Sequence, residues 1–544
     1  YEYDIYKERR KPMKIESLPK DVYEVVQNNN GLKMYLNNLE RGRPATPRSW
    51  LYEGKSDMEV LHAWLTQLKR VLSMEHGDVV YQFELSQQEK FGAQGEVKPI
   101  KELMDLVTEG FKFAGASQPA IFRTKLWQKA KENAVKYLIK ETGLYHRLQP
   151  RAFKHVVDNM RDRDTLESNS GYPDFGRRKK PEILQRAYAD IESGAYKEFP
   201  AIVLFRNYNK KTRPVWMYPM STNIVEGSYT QPLKEALMKS DLQFIAPWRG
   251  YEHVLNRITK HYNDGEYLSA SDFSHTDAHF TKRQMLEVYD VIKHAFQPKY
   301  RDGLKESMLR VVQIPLIIGS DQIIYGDHGV SSGSNRTNDC ETYMDFIAEQ
   351  YLTLKRYVKE PDTAIGDDVS HRRDTYDPNL HVKIANEYKL MNFDVNAQKV
   401  TNEPDWVKYL QRITVRGWFS GRTFSYKGVE YKLLRGVYST IRALNSSLNP
   451  EKFHSPKLWS KDMFAVRQFM ILENCIDHPL FKEFVKFICD GHVYLREFAR
   501  KTSKELDAVY RESHLIPGLN PTYNQEKRDK PLSTFESIRI AQII

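Results

Sequence analysis

The chain runs to 544 residues, with 82 Lys and Arg against 71 Asp and Glu, a formal net charge of +11 and 12% aromatic residues. That length exceeds one hydrophobic core and predicts three or four subdomains, while the basic excess suits a polyanionic partner as well as plain solubility. Cys340, Cys475 and Cys489 stand far apart without metal-ligand spacing, and no apolar run reaches about eighteen residues, which argues against a disulfide framework, a structural zinc site and a membrane helix.

A soluble protein in a reducing, intracellular setting is therefore expected. Position 1 is Tyr, and Met13 precedes Lys14-Ile15-Glu16-Ser17, so the first dozen residues read as a remnant or processed end. Residues 1–165 read as mainly helical, with helical apolar spacing over 58–72 and 120–141. Around 166–260 the pattern loosens into basic and aromatic loops punctuated by Gly and Pro. From 261 to about 430 the order is strand, helix (281–296), loop, helix (334–358), acidic hairpin, helix (379–391) and strand. This predicts a split βαβ layout with helices on one face of an antiparallel sheet. Helices follow over 455–474 and 479–511, and the tail, 517–544, is either a loose end or a plug folded back toward a cavity.

Two acidic segments carry the chemistry. Gly366-Asp367-Asp368 and Ser271-Asp272-Phe273-Ser274-His275-Thr276-Asp277 each follow a short strand-forming run. Two strand ends side by side would hold a pair of divalent cations, Mg²⁺ or Mn²⁺, on Asp272, Asp367 and Asp368, the arrangement that stabilises entering and leaving oxygens in phosphoryl transfer. Gly-Asp-Asp alone would be a solvated turn; the earlier Asp-x4-Asp element is what raises it above that. Asp277, past a turn, either faces an incoming sugar or caps the helix that starts at Thr281.

The intervening loop, Gly329-Val330-Ser331-Ser332-Gly333-Ser334-Asn335-Arg336-Thr337-Asn338, is an ordinary helix start capped by Ser334 or Asn335, or a backbone surface for a template nucleotide, with Ser332, Gly333, Thr337 and Asn338 near the nascent pair. Upstream, Phe205-Arg206 through Lys211-Thr212-Arg213-Pro214-Val215-Trp216 alternates cations with β-branched and aromatic residues, as a ribbon laying Arg206, Lys211 and Arg213 on a triphosphate would. Lys399 is a surface lysine or a proton donor to pyrophosphate. Tyr409-Leu410-Gln411-Arg412 reads as a small hairpin.

Taken in order, these stretches resemble the motifs of viral RNA-dependent RNA polymerases over residues 166–415. Ser168-Asn169-Ser170-Gly171-Tyr172-Pro173 is similar to the template-guiding motif G, Lys211–Trp216 to motif F, Asp272 and Asp277 to motif A. Ser332-Gly333 with Thr337 is similar to motif B, Gly366-Asp367-Asp368 to motif C, the Lys399 region to D and Tyr409 to Arg412 to E. The details resemble the small polymerases of picobirnaviruses and partitiviruses, which have segmented double-stranded RNA genomes.

The resemblance implies an α+β right hand with an antiparallel palm sheet and mostly helical fingers and thumb. It implies an N-terminal segment 1–60 bridging fingers and thumb, fingers over 61–260 with 222–260 partly palm, palm over 261–430, and thumb and tail over 431–544. It further implies two Mg²⁺ or Mn²⁺ ions, an RNA template and product, NTPs, contact of Ser170, Gly171, Tyr172, Pro173, Tyr409 and Arg412 with RNA, and primer-independent synthesis. A monomer is expected, in the virion interior or host cytoplasm, with a viral capsid protein as a further partner and no membrane. One departure is Glu341, four residues after Thr337, where many relatives carry Asn; either Glu341 or Asn338, directly after Thr337, reads the ribose, although Asn338 as a neighbour of Thr337 does not project from the face that a residue four places on would. A reverse transcriptase and a non-enzymatic RNA-binding or capsid-associated protein are the competing readings, the first opposed by Asp277 and the second by the ordered acids.

Overall fold

The computed structural model describes residues 11–274, 276–452, 455–517, 519 and 530–544; most of the first dozen residues, His275 and the tail segment 520–529 lie outside the described residues. The strands are β1 (Lys14–Ser17), β2 (Ala201–Tyr208), β3 (Lys211–Met217), β4 (Tyr267–Asp272), β5 (Leu316–Ile317), β6 (Gln322–Tyr325), β7 (Pro361–Ile365), β8 (Asp368–Arg373), β9 (Thr401–Asn402), β10 (Trp406–Tyr409), β11 (Arg412–Val415), β12 (Phe419–Tyr426), β13 (Val429–Leu434) and β14 (Val437–Tyr438). They form sheets of order β1-β6-β5-β2-β3, β7-β8-β4-β9, β10-β11-β14 and β12-β13.

The four-stranded sheet is antiparallel throughout, as expected. Against it lies the helix Thr337–Leu354, which packs on β7, on the helix Lys282–Ile292 and on the helix Lys125–Ala134. Enclosed on all these sides, it is buried almost end to end, so its sequence shows no amphipathic stripe to fix its start and the boundary expected at 334 falls three residues later. Thr281 begins the Lys282–Ile292 helix through a capping box with Gln284.

Residues 166–260 depart from expectation. In place of continuous loops they contain, beside the ribbon read over 205–216, which is the β2–β3 hairpin, the helices Pro181–Ser193, Met220–Lys239 and Tyr251–Asn263. Met220–Lys239 carries Gly227 and Pro232 and buries residues on several faces, so neither propensity nor period marks it. The helix expected over 479–511 is three helices, Phe481–Asp490, Tyr494–Ala499 and Ser503–Ser513, the last restarted by a Thr502 capping box.

Distant chain segments close the molecule. Leu51, Trp64, Val80 and Phe91 share one core with Ile441, Phe464, Phe484 and Ile538, so a boundary at 60 does not coincide with a break in packing. The C-terminal helix Glu536–Ile543 docks there too, Glu473 accepting from the backbone N–H of Glu536 at 3.1 Å and Ser537 at 3.0 Å. The described end of the tail is thus a docked helix and no plug.

Glu84 ties this closure. It is wholly buried, accepts from Ser439 Oγ and Thr440 Oγ1, caps the helix Thr440–Leu448 through Thr440 N at 3.0 Å, and meets His478 Nε2 at 3.1 Å. Burial raises its pKa, but His478 and the two hydroxyls outweigh that and hold the carboxyl below its usual range. Its contribution is therefore complete above about pH 4.3 and lost as pH falls through the lowered folded value. Glu84→Ala leaves His478 and a helix start unpaired, and should cost about 3 kcal/mol. Scanning calorimetry at pH 7 should show a melting midpoint lower by several degrees; an unchanged midpoint would refute the link.

Candidate active site

The register of β4 against β8 places Asp272 directly opposite Asp368, and Asp367 occupies the β7–β8 turn beside them. One carboxylate oxygen from each of Asp272, Asp367 and Asp368 lies within 4.8 Å of the others. The turn needs glycine: Gly366 has φ 58°, and a Cβ there would sit 2.9 Å from Asn338 Nδ2. Its N–H donates to Thr342 Oγ1 at 3.0 Å, fixing the turn to the helix Thr337–Leu354.

Three acids this close cannot all ionise freely. Burial, then Asp272 and Asp277, push Asp367 up to about 7. Burial, then Asp367 and Asp272, push Asp368 well above the carboxylate range. Asp272 is raised by burial although Lys399, Lys408, Arg213 and Lys90 draw it down. A crowded set of hard oxygen donors short of positive charge fits Mg²⁺ or Mn²⁺.

The cations come from separate elements. The β2–β3 hairpin turns at Asn209 and Lys210, both at positive φ (54° and 61°), and carries Arg213 to where its charge acts on Asp272, Asp277 and Asp367. Lys211 is lowered by burial and by repulsion from Arg213 and Lys399, against the pull of Asp272 and Asp367. Arg206 is instead held by Glu451 in a bidentate pair at 2.8 Å. Lys399 sits exposed on the turn Ala397–Lys399. Two cations were missed: Lys90, on a turn after Ser86, for which nothing in the sequence gives a signal, and Lys408 on β10, whose side chain lies over Phe83 and feels Asp272 and Asp368.

The Ser-Gly loop is clamped from behind. A Cβ on Gly333 would fall 1.5 Å from Trp216 O of β3, so only glycine permits this approach. Buried Glu226 accepts from Ser334 Oγ, from Asn335 N at 3.2 Å and from Asn223 Nδ2 at 3.0 Å. Both clamp residues belong to the unforeseen helix Met220–Lys239, and no spacing announces them. Ser334 Oγ accepts from Arg336 N, but the helix starts at Thr337, whose hydroxyl donates to Ser331 O. Ser332 is exposed.

Asn338 faces the Gly366 turn, whereas buried Glu341 hydrogen-bonds Asp277. Burial, then Asp277 and Asp367, raise Glu341 well above the usual range, so it is the protonated donor of that pair, while burial pushes Asp277 up to about 6. Glu341, Asp345 and Glu349 recur every fourth residue on one helix face behind the acids. Asp345 is likewise raised by burial and by Glu349, Asp367 and Asp368. That four-residue period of acids was the legible signal.

The outer motifs are largely internal. Ser170, Gly171 and Tyr172 are buried, Pro173 half-buried, and the Tyr172–Pro173 bond is cis. Ser170 O accepts from Met220 N at 2.9 Å, and Tyr172 packs on Phe199. Tyr409 and Arg412 close the β10–β11 hairpin with Leu410 and Gln411 at positive φ. Tyr409 OH accepts from Thr363 Oγ1 at 3.1 Å beneath the acids, and Arg412 stacks on Tyr251 at 4.0 Å.

Residues 192–428 match the family model described as viral RNA-dependent RNA polymerase. The chain is 26% identical over 501 residues, 85% of each chain, to a protein named potential RNA-dependent RNA polymerase from human picobirnavirus. It is 25% identical over 150 residues, 27% of this chain and 28% of the other, to an RNA-directed RNA polymerase of Cryptosporidium parvum virus 1. The crystal structure of the RNA-dependent RNA polymerase of a human picobirnavirus superposes with TM-score 0.78 at 22% identity, covering 96% of this chain and 99% of that one. The fold is the right-handed polymerase fold.

Because protonated acids must release protons to bind metal, Mn²⁺ titration should raise the melting midpoint more at pH 8 than at pH 6. Asp367→Ala should abolish the shift. A shift that survives in the variant would place the ion elsewhere.

Proposed function

Because this chain carries a viral RNA-dependent RNA polymerase domain and is an RNA-directed RNA polymerase, we propose that it joins nucleotides at Asp272, Asp367 and Asp368 by two-metal transfer and starts strands without a primer. The observation that carries this reading is the in-register apposition of Asp272 and Asp368 beside the Asp367 turn. Asp272 and Asp367, with Asp368 in support, would hold Mg²⁺ or Mn²⁺, which when bound stabilise charge on the entering and leaving oxygens.

The rest is positioning. Arg213 and Lys211 hold the triphosphate, the first facing three of the acids. Lys399 gives its proton to pyrophosphate. The loop at Ser332 and Gly333 lies under the nascent pair, backed by Glu226. Asp277 reads the ribose 2′-hydroxyl with Glu341 as its hydrogen-bonding neighbour, while Asn338 and Thr337 hold the Gly366 turn and the loop. Ser170 to Pro173 shape the template entrance, and Tyr409 and Arg412 fix the hairpin under the primer strand. Arg206 acts through Glu451. The palm carries residues 261–430, the chain works as a monomer beside a capsid protein, and it operates in the virion interior or host cytoplasm. Among the described residues no helix is long and apolar enough to cross a membrane. A polar, acid-paired sugar position disfavours a reverse transcriptase, and a non-enzymatic binding protein has no use for three crowded carboxylates.

Asp367→Ala should lower ribonucleotide incorporation on a single-stranded RNA template at least about a hundredfold with RNA binding retained; near-normal elongation would sink the metal assignment. Glu341→Gln keeps a neutral donor and should preserve the preference for ribo- over deoxynucleotides. Glu341→Leu should relax that preference by about 10- to 150-fold, the worth of one lost hydrogen bond to a charged group; identical preferences in both variants would remove Glu341 from sugar selection.

A further inference from the structure

A second concentration of aromatic and basic groups lies away from the acids. The helix Lys125–Ala134, which packs on the outer side of Thr337–Leu354, continues as a π-helical turn, Val135–Lys140, a distortion often found at functional positions. The loop that follows is pinned to the turn Lys293–Ala295: His146 N donates to His294 O at 2.8 Å and Leu148 N to Ala295 O at 2.9 Å. His146 adopts φ 59°, a left-handed backbone that a non-glycine residue rarely takes. The result is a stack on the surface. The ring of Tyr145, 43% exposed, lies 3.9 Å from that of His146 at 19° and 6.1 Å from that of His294 at 17°.

Cations ring the stack. Lys140 Nζ is 5.0 Å from the Tyr145 centroid; Arg147, two residues on, and Lys299, two residues after Gln297, whose N–H donates to Leu148 O at 2.9 Å, are exposed. None of these three makes an ion pair among the described residues, whereas the nearby Asp290 is taken by Lys131 at 2.8 Å. Glu141 is the exposed carboxylate of the loop's own stretch. Burial, with Lys293, Arg301 and His146, pushes His294 down to about 4, so its ring stays neutral and adds apolar face rather than charge.

Positive charge alone would serve any polyanion, including an acidic protein. Parallel exposed rings interleaved with cations serve a single-stranded nucleic acid in particular, since every base has a π-face and every nucleotide a phosphate. We propose that this surface is a second, non-catalytic site for single-stranded RNA, a base stacking on Tyr145 and adjoining phosphates meeting Lys140, Arg147 and Lys299. Lys140 swings from over the ring to a phosphate as the base enters. The site is built on 140–148 and 293–299, outside the strands that carry Asp272 and Asp367, so it holds RNA that is not being copied at that moment. It rests on the polymerase reading only in naming RNA as the nucleic acid.

The test uses the full chain and single-stranded RNA of about six nucleotides, too short to span both sites. Native mass spectrometry should find two RNAs per wild-type chain and one per Tyr145→Ala chain. In fluorescence titration Tyr145→Ala should weaken the second event by about 5- to 100-fold and Tyr145→Phe hardly at all. Lys140→Ala with Arg147→Ala should reduce its salt slope by about 1.4. Elongation on a short primed template should be unchanged in every variant, which separates failure here from failure of the polymerase reading. A single RNA per wild-type chain, a second event indifferent to Tyr145→Ala, or tighter binding of polyglutamate than of RNA of equal charge would overturn the proposal, the last in favour of an acidic protein partner.

Discussion

Like charges held together against their repulsion are the constraint on which the rest of the molecule is arranged. Pairing β4 with β8 in a register that sets Asp272 against Asp368 works against the sheet, because two carboxylates across a strand pair destabilise it. The register persists because its other members are strongly fixed. Asp362, one strand earlier, is paired with Arg257 at 2.9 Å and His261 at 3.0 Å and bonded to Ser370. Ser271 Oγ meets His371 Nε2 at 2.7 Å within the same two strands. A one-residue slip of β4 on β8 would break the Ser271–His371 bond and turn each side chain to the wrong face, while the Asp362 contacts hold β7 and β8 in place. Strain at the acids is therefore held by satisfied polar pairs one to five residues away, and protons or metal relieve what remains.

The same logic governs the helix Thr337–Leu354. Its acids at 341, 345 and 349 face the sheet, where desolvation keeps Glu341 and Asp345 neutral, so the layer behind the site adds little negative charge until something cationic arrives. Glu349 is the exception in kind, since His371 Nδ1 at 2.7 Å and Tyr388 OH at 3.2 Å give it partners. A graded column results, acids sharing protons near the reaction centre and one held by His371 and Tyr388 farther from it. Such grading lets the site take up divalent charge without rearranging its packing.

How much of this could be read from sequence depends on whether a feature is local. Strand ends carrying acids, the Gly366 turn, the β10–β11 and β2–β3 hairpins and the Thr281 helix start are each specified within a few residues, and each is present in the structure. The helix Met220–Lys239 was invisible because a helix buried on several faces has no polar side to set a period, and Gly227 with Pro232 mimics a loop. Glu226 and Asn223, which clamp the Ser-Gly loop, went unseen with it. Lys90 reaches the acids only through a chain crossing more than 350 residues long, from 84 to 439 and 478, and no local pattern encodes such a contact. Asn338 and Glu341 could not be separated by spacing alone; the glycine-tight approach of Asn338 to Gly366 separates them.

That long crossing has an electrostatic consequence. Lys90 and Lys408 sit where the N-terminal segment meets the C-terminal half, and both are lowered by burial and by repulsion from Arg442, with Asp272 pulling the other way. The closure through Glu84 and His478 thus does more than join two ends of a chain. It delivers cations to the acids from a direction the sheet itself does not supply, so part of the charge balance at Asp272 depends on contacts made far from it. Loosening that closure would raise Asp272 further by withdrawing Lys90, and the acid cluster would hold its protons more tightly without any change in its own residues. Fold closure thus contributes to the charge balance at Asp272.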